Sequence, residues 1–264
     1  MQLMEPSMTK KWAIVTGATA GIGRAIAQQL AEQHSYNLVL VARSETALSS
    51  LKNAWEKSGI EVQVMPLDLS LEAAPEQLAR FTDEQGIVPE VLVNNAGIGC
   101  HGRFLETDLA AQIKMLRLNV EALVQLSYLY GQRMVERKHG YIMQVASTAA
   151  FQPLPFYGLY AGTKSLVVSF SKTLNFEYST HGVSSTAVCP GPTATNFFDN
   201  KASVTTEDLK KLFMSADAVA RLGIAAMFDR REVCITGGVN KLGTIAGKMV
   251  PSRLMMKSLA SVMR

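Results

Sequence analysis

Short apolar runs alternate with longer helical patterns along most of this chain. The apolar runs, which are rich in Val and Ile, are KWAIVT, YNLVLVA, EVQVMPL, EVLVNN, GYIMQVA and VSSTAVC. Helical periodicity characterises the intervening segments GIGRAIAQQLAEQ, ETALSSLKNAWEKSG, LEAAPEQLARFTDEQG and residues 104–137. Strands that are apolar on both faces and alternate with helices are typical of a parallel sheet covered by helices on both sides. The pattern predicts a single doubly wound α/β domain over residues 9–240.

Composition and charge narrow the setting in which such a domain works. A chain of 264 residues is long enough to bury one large core. Its composition, 48% hydrophobic and 18% charged, is ordinary for a globular protein and shows no disordered tract. The three cysteines are widely spaced, show no metal-ligand pattern and suit a reduced cytoplasmic protein. We expect no signal peptide, membrane span or metal site. The net charge is +4, but five basic and no acidic residues follow Glu232. The preceding body therefore carries a charge of −1, which argues against nucleic-acid binding.

A glycine-rich turn, TGATAGIG, follows the first apolar run and opens the first helix. Its glycines, spaced G-x-x-x-G-x-G, would let the backbone approach a pyrophosphate whose charge lies at the helix N-terminus near Ile22. A bare glycine cluster can also mark only a tight turn. Its place between a strand and a helix favours dinucleotide binding. The predicted contacts are Gly17, Thr19, Ala20, Gly21, Ile22 and Gly23.

The tip of the second strand bears on which dinucleotide is preferred. A free 2′-hydroxyl on the adenosine ribose would call for an acidic residue there, but the sequence has Ala42 followed by Arg43. An arginine suits a 2′-phosphate, although it could also be only an exposed loop residue. Glu45, behind Ser44, is better explained by helix capping and the helix dipole. The sequence predicts NADP(H) as the preferred cofactor, with NAD(H) as the alternative.

Several motifs fall in order at the intervals of one family. They are Thr16 to Gly23, Asp68-Leu69, Asn94 to Gly97, Asn119, Ser147, Tyr160 with Lys164, and Pro190-Gly191. From about Lys11 to about Gly238 the chain resembles the short-chain dehydrogenase/reductase family, and within it bacterial reductases that prefer NADP. The resemblance implies a Rossmann domain with a seven-stranded parallel sheet and hydride transfer between a nicotinamide and a carbonyl or alcohol carbon. It also implies a homodimer or homotetramer.

The stretch PLPFYGLYAGTK contains two candidate catalytic tyrosines and one lysine. Tyr160 and Lys164 are four residues apart and share one face of a helix, whereas Tyr157 lies seven residues from the lysine. An adjacent ammonium should lower the phenol pKa, about 10 when unperturbed, and make it a usable acid or base. Such a pair is usually only a helix face, but the resemblance also assigns catalysis to Tyr160 and Lys164. We expect Tyr157 to line the substrate pocket.

The resemblance implies two further catalytic residues. Ser147 follows the fifth apolar run, and its hydroxyl would stabilise the charge that develops on the substrate oxygen. A loop-capping serine is the alternative reading. The family commonly has another serine where this chain has Ala146, a departure that puts little in doubt. Asn119 matches the family's asparagine in a proton relay behind the lysine, although on sequence alone a helical asparagine is usually incidental.

The other strand-end loops complete the predicted cofactor site. The contacts implied by the resemblance, together with Tyr160 and Lys164, are Asp68, Leu69, Asn95, Ala96, Gly97, Pro190, Gly191, Thr193 and Thr195. Asp68 alone would read as a plain helix cap. The backbone of Thr193 and the hydroxyl of Thr195 match positions that hold the nicotinamide carboxamide. We expect Cys100 and His101 to border the entrance without a catalytic role.

Substrate class is predicted only from aromatic and apolar loop residues. Residues 195–215 occupy the position of the family's substrate lid. Its apolar members are Phe197, Phe198, Phe213 and Met214, and the facing loop carries Phe151, Leu154, Phe156 and Tyr157. These residues favour a small apolar or lipid-like carbonyl substrate, unless they are ordinary packing.

The tail, residues 241–264, is basic and amphipathic. A helix beyond Pro251 would place Arg253, Lys257 and Arg264 on one stripe, opposite Met255, Leu259 and Val262. So short a helix needs a surface: the protein's own body, a sister subunit, or an anionic membrane that it contacts peripherally. A catalytically weak nucleotide-binding protein or a membrane-surface protein on the same fold remains the alternative function.

Overall fold

A seven-stranded parallel sheet forms the centre of the molecule. The computed structural model describes residues 10–195, 213–247 and 250–262. The strands are β1 (Trp12–Thr16), β2 (Asn37–Ala42), β3 (Val62–Pro66), β4 (Pro89–Asn94), β5 (Gly140–Val145), β6 (Val183–Cys189), β7 (Thr193–Ala194), β8 (Met214–Ser215) and β9 (Val233–Ile235). The sheet order is β3-β2-β1-β4-β5-β6-β9, and β7 pairs only with β8. The predicted Rossmann architecture is confirmed, and the six predicted strands form as expected. The edge strand β9 was not predicted because its three residues are too few to show a pattern.

Helices cover both faces of this sheet. They are α1 (Gly21–His34), α2 (Glu45–Glu56), α3 (Ala74–Glu84), α4 (Leu109–Leu116), α5 (Ala122–Glu136), α6 (Gly158–Ser179), α7 (Ala216–Phe228), α8 (Gly238–Gly247) and α9 (Ser252–Val262). The predicted helical segment 104–137 is divided into a 3-10 turn, α4, a π-helical turn (Arg117–Glu121) and α5. Of the helices described, none combines the length and apolarity that a membrane crossing requires.

The core lies in two layers because neighbouring residues of a strand point to opposite faces. All five residues of β1 are buried. Val15 packs in the layer that includes Leu30 of α1 and Met227 of α7, whereas Ile14 packs with Leu126 of α5 on the other face. Burial on both faces explains the continuous apolar runs in the sequence. It also fixes the carboxyl ends of the strands, where the order reverses between β1 and β4 and ligands bind in this architecture.

A buried polar network reinforces the sheet next to that point. Asn94 Nδ2 donates to Gln144 Oε1 at 3.0 Å and to Ser127 Oγ at 3.1 Å, and Gln144 Nε2 donates to Ser127 Oγ at 2.8 Å. These bonds connect β4, β5 and α5 in a dry environment, where paired polar groups rigidify the structure. Asn94 therefore supports the centre of the sheet.

Candidate active site

A cavity of about 960 Å³ lies at the carboxyl ends of the strands. It is lined by the loops that follow β1 to β6 and by one side of α8. The predicted site residues that line it are Gly17, Thr19, Ala20, Gly21, Ile22, Arg43, Asp68, Leu69, Asn95, Ala96, Gly97, Ser147, Tyr160, Lys164, Pro190, Gly191, Thr193 and Thr195. Two predicted residues, Gly23 and Asn119, are not part of the lining.

The glycine turn provides a backbone surface suited to an anion. Gly17 has φ +65° and Gly21 has φ +53°, a left-handed conformation that favours glycine. Helix α1 begins at Gly21, and Ala20 at its N-cap supplies no side-chain hydrogen bond. The first turn also contains no acidic residue that could pair with its N–H groups. These groups fit the pyrophosphate of a dinucleotide.

Gly23 serves packing rather than the cavity lining. A β-carbon at this position would overlap the Asn95 side chain and the Gly17 carbonyl oxygen. Asn95 is itself fixed, because its Nδ2 donates to the Thr16 carbonyl at 2.8 Å and its N–H donates to Thr16 Oγ1 at 2.9 Å. The third glycine thus allows α1 to approach the loop after β4, which corrects its predicted role as a direct contact.

The side of the cavity near β2 and β3 carries two cations and one carboxylate. Arg43 is exposed and contributes to the lining. Asp68 Oδ2 accepts from Lys114 Nζ at 2.9 Å, and its Oδ1 accepts from the Ser70 N–H at 3.0 Å. Burial alone would raise the pKa of Asp68, but the hydrogen bonds from Ser70 and Lys114 and the lysine charge lower it to about 2. Asp68 does not cap α3, which begins at Ala74, so the plain-cap reading is wrong. No sequence motif includes Lys114, so its hydrogen bond to Asp68 could not be predicted.

The catalytic candidates Ser147, Tyr160 and Lys164 meet on the opposite wall. The Ser147 side chain hydrogen-bonds the phenol of Tyr160, and its Oγ also accepts from the Ala149 N–H at 3.1 Å. Ser147 therefore caps the following 3-10 turn and faces the tyrosine at the same time. Lys164 Nζ donates to the Val145 carbonyl at 2.8 Å and lies 5.9 Å from the centre of the Tyr160 ring.

The pKa values of this pair differ from the expectation. The spacing predicts a phenol pKa lowered by the ammonium, but burial raises the pKa of Tyr160 to about 12, with the Ser147 hydrogen bond opposing the rise. Burial also lowers the pKa of Lys164 to about 8. Desolvation is the largest cause of both shifts because both side chains are almost fully enclosed. Sequence spacing could not reveal this enclosure.

Asn119 lies behind the cavity wall, in the π-helical turn between α4 and α5. Its side chain pairs with both backbone groups of Ile98: Oδ1 accepts from the N–H and Nδ2 donates to the carbonyl, each at 2.9 Å. A β-carbon built on Gly97 would lie 3.1 Å from Asn119 Oδ1 and 3.6 Å from Lys164 Nζ, so the two polar atoms approach the same glycine. π-helical turns often occur at functional sites. This one directs the amide toward the loop after β4 and the lysine.

The rest of the cavity lining combines apolar and polar side chains. Of the residues predicted to form the substrate pocket, Leu154, Tyr157 and Phe213 line the cavity, whereas Phe151, Phe156 and Met214 do not. Phe197 and Phe198 of the predicted lid lie outside the described residues. Sequence reasoning missed the lining residues Gln152, Val239, Asn240, Gly243 and Thr244, and it placed His101 only at the entrance. The Asn240 side chain packs so closely on Gly191 that a side chain at Gly191 would overlap it. No local sequence pattern predicts this contact. In the ranges that the structure describes, no three His, Cys, Asp or Glu side chains converge to bind a metal.

Comparison with known proteins identifies the family. A family model described as short chain dehydrogenase matches residues 11–205. A very-long-chain 3-oxoacyl-CoA reductase-like protein of Arabidopsis thaliana is 32% identical over 239 residues, which cover 85% of this chain and 75% of that protein. Mouse 17-beta-hydroxysteroid dehydrogenase type 3 is 30% identical over 208 residues, or 76% of this chain and 67% of that protein. A short-chain dehydrogenase from Sphingobium yanoikuyae, solved in complex with NADPH, matches with a TM-score of 0.80 at 26% identity and 96% coverage of both chains.

The sheet order places the molecule in the doubly wound α/β class, whose ligands bind at the carboxyl ends of the strands. The matched model covers well over half of the sequence, and the chain belongs to the short-chain dehydrogenase family. It is therefore an enzyme that acts on CH–OH or C=O groups.

Proposed function

We propose that this chain uses NADP(H) to reduce the carbonyl group of an apolar or lipid-like substrate, with Tyr160 as the proton donor. The observation that carries the proposal is the convergence of Ser147, Tyr160 and Lys164 in one cavity with the uncapped N-terminus of α1. A proton-transfer group and an anion-binding turn in one cleft are what a dinucleotide-dependent carbonyl reductase requires.

NADP(H) is the cofactor that the cavity suits best. The N–H groups at the start of α1 would hold the pyrophosphate, and Arg43 at the end of β2 would pair with the 2′-phosphate. The ionised Asp68 would accept from the adenine side, held in place by Lys114. Thr193 and Thr195 line the same cavity and would hold the nicotinamide carboxamide. The Sphingobium relative was solved with NADPH, which supports the assignment.

Tyr160 would supply the proton in the reduction. When bound, the reduced nicotinamide supplies a hydride to the carbonyl carbon. With a pKa of about 12 the phenol is protonated at neutral pH, so it can donate its proton to the carbonyl oxygen as that oxygen gains charge. Ser147 would hydrogen-bond the same oxygen. Lys164, next to Asn119 and Gly97, would favour the phenolate that remains and help return a proton to it.

An apolar substrate follows from the cavity wall and from the relatives. Leu154, Tyr157 and Phe213 line the cavity, and Leu154 and Tyr157 also pack against the cluster that contains Tyr160. The names of the two relatives refer to a very long acyl chain and to a steroid, both of which are largely apolar. Most of the predicted lid, residues 195–215, lies outside the described residues. Two described residues of this range, Thr195 and Phe213, line the cavity.

The tail is proposed to pack on the protein's own body. Helix α9 forms after Pro251 as predicted, and Met255 and Leu259 on its apolar side are half-buried. A β-carbon at Gly247 would lie 3.4 Å from the Met255 methyl group, so the end of α8 supports this helix. A sister subunit of a homodimer or homotetramer, or a peripheral membrane contact, is the alternative partner for its exposed residues.

A panel of carbonyl compounds tests the proposal directly. Purified protein is mixed with NADPH or NADH and with 3-oxoacyl thioesters, ketosteroids and small polar ketones, and loss of the reduced nicotinamide absorbance is followed. We expect turnover with NADPH on apolar ketones and much slower turnover on polar ones. Tight NADPH binding without turnover on any ketone would instead favour the nucleotide-binding alternative.

A further inference from the structure

A second cavity, an open groove of about 840 Å³, lies beside the active-site cavity. Its floor is the segment from Ala150 to Pro155 together with the first turns of α6, and helix α9 forms its opposite side. Two residues, Gln152 and Leu154, line both the groove and the active-site cavity. The groove and the active-site cavity are therefore adjacent and meet at these two side chains.

The groove combines an apolar floor with a cationic edge. Phe151, Leu154 and Met256 contribute apolar surface, and Arg253 and Lys257 stand along the α9 side. Both cations are exposed, and they are four residues apart, on one face of the helix. Neither forms a salt bridge with a carboxylate in the described ranges. The sequence after Glu232 has no acidic residue that could neutralise them.

An extended molecule with an apolar arm and an anionic end is the ligand that matches this surface. A simple ketone or a steroid has no anionic group for the two cations. An acyl thioester on a phosphorylated carrier arm does, and arginine and lysine are the side chains that bind phosphate groups. The groove lies beside the first turn of α6, which carries Tyr160, so a carrier arm in the groove would approach the catalytic tyrosine from that side.

We propose that Arg253 and Lys257 bind the phosphate groups of a coenzyme-A-type carrier while the 3-oxoacyl group reacts at Tyr160. This inference rests on the proposed carbonyl reduction and adds the chemistry of the substrate's second end. The half-buried Met255 holds α9 against Gly247, which keeps the two cations at the groove. The tail is then part of the substrate site.

A matched pair of substrates isolates the charge effect. The same 3-oxoacyl group is offered as the coenzyme A thioester and as the uncharged N-acetylcysteamine thioester. In the double variant R253A/K257A, KM for the coenzyme A thioester should rise about tenfold, the scale of two exposed phosphate contacts, with kcat little changed. KM for the neutral thioester should not change. High salt should reduce the difference between the two thioesters, because it screens exposed charges.

Two further variants and one binding measurement complete the design. R253K/K257R keeps both charges and should retain the wild-type KM. K57A/R80A removes two exposed cations outside the groove, one directly after α2 and one on α3, and should also behave as wild type. Calorimetry with free coenzyme A, and with neutral pantetheine as its control, measures binding independently of turnover. Coenzyme A should bind wild type more tightly than R253A/K257A, and pantetheine should bind both equally.

Each outcome either supports the inference or overturns it. Equal KM values for the coenzyme A thioester in wild type and R253A/K257A would refute the groove as a carrier site. Loss of affinity for both thioesters alike would show that α9 acts only through structure. A third outcome combines two results: wild type binds anionic vesicles and R253A/K257A does not, while the two proteins have the same KM for each thioester. That outcome would overturn the inference and assign the two cations to a membrane contact. Absence of turnover on either thioester, while other ketones are reduced, would overturn the inference and leave the proposed reduction standing. Absence of turnover on every carbonyl tested would count against the proposed function itself.

Discussion

The buried Lys164 should make the stability of this protein depend on pH in a way that one substitution removes. Burial lowers the pKa of this lysine from 10.5 to about 8. Between these values the unfolded chain holds a proton that the folded protein has released, so the free energy of unfolding increases with pH across this range. Below pH 8 the buried ammonium disfavours folding by roughly 3 kcal/mol. From pH 7 to pH 10 its contribution should rise by roughly 2–3 kcal/mol.

The substitution Lys164→Met removes this titration and keeps an unbranched chain of similar length. It also leaves the Val145 carbonyl without its donor at 2.8 Å, which costs about 1–3 kcal/mol and opposes the gain from removing a buried charge. The two effects nearly cancel at pH 7, so stability at a single pH is a poor test. The difference between wild type and variant, measured at several pH values, isolates the titration because groups shared by both proteins cancel.

Urea unfolding of both proteins at pH 7, 8, 9 and 10 provides the measurement. The free energy of unfolding of wild type minus that of K164M should increase by roughly 2–3 kcal/mol over this range. Lys172→Met, an exposed lysine of the same helix, is the matched control and should follow wild type at every pH. A difference between wild type and K164M that stays constant from pH 7 to pH 10 would refute the reasoning, because Lys164 would then titrate alike in the folded and unfolded states.

Three further perturbations test the cofactor, the catalytic tyrosine and the tail. Arg43→Ala should weaken NADPH binding by about tenfold to a hundredfold and leave NADH unchanged, with Arg80→Ala as control, in a fluorescence titration of Kd; equal wild-type affinities for both cofactors would contradict it. Tyr160→Phe should lower kcat by at least about a hundredfold without changing the Kd of NADPH, whereas Tyr157→Phe should keep the pH profile of kcat. The reverse pattern would reassign the proton donor. Deletion of residues 252–264 should lower Tm by a few degrees if α9 packs on the body; an unchanged Tm together with loss of anionic vesicle binding would favour a membrane contact.

The sequence predicts this site well where a function depends on local spacing. The turn from Gly17 to Gly21 needs positive φ angles, and glycine is the residue that adopts them without strain. Tyr160 and Lys164 meet on one wall because a helix brings residues four apart to the same face. Burial of both faces of the sheet likewise makes its strands recognisable as apolar runs.

Contacts between distant segments are what the sequence could not provide. Lys114 donates a hydrogen bond to Asp68, although the two residues are 46 positions apart in the sequence. No sequence pattern indicates that they meet. The pKa of Tyr160 was predicted to fall, but burial raises it. The direction of the shift depends on how completely the fold excludes water from the phenol, which the sequence does not show. The π-helical turn that places Asn119 has no local pattern of its own, because it interrupts one continuous helical periodicity.

The segment from Val145 to Leu154 connects proton transfer with substrate selection. Its first residue accepts the hydrogen bond of Lys164, and two residues later Ser147 hydrogen-bonds Tyr160. Its last residues, Gln152 and Leu154, separate the active-site cavity from the groove beneath α9. Since one short loop carries both functions, a shift at Gln152 or Leu154 that admits a longer substrate should also move the Ser147–Tyr160 pair. Substitutions there should therefore change kcat and substrate range together, whereas substitutions at Arg253 and Lys257 should change KM alone.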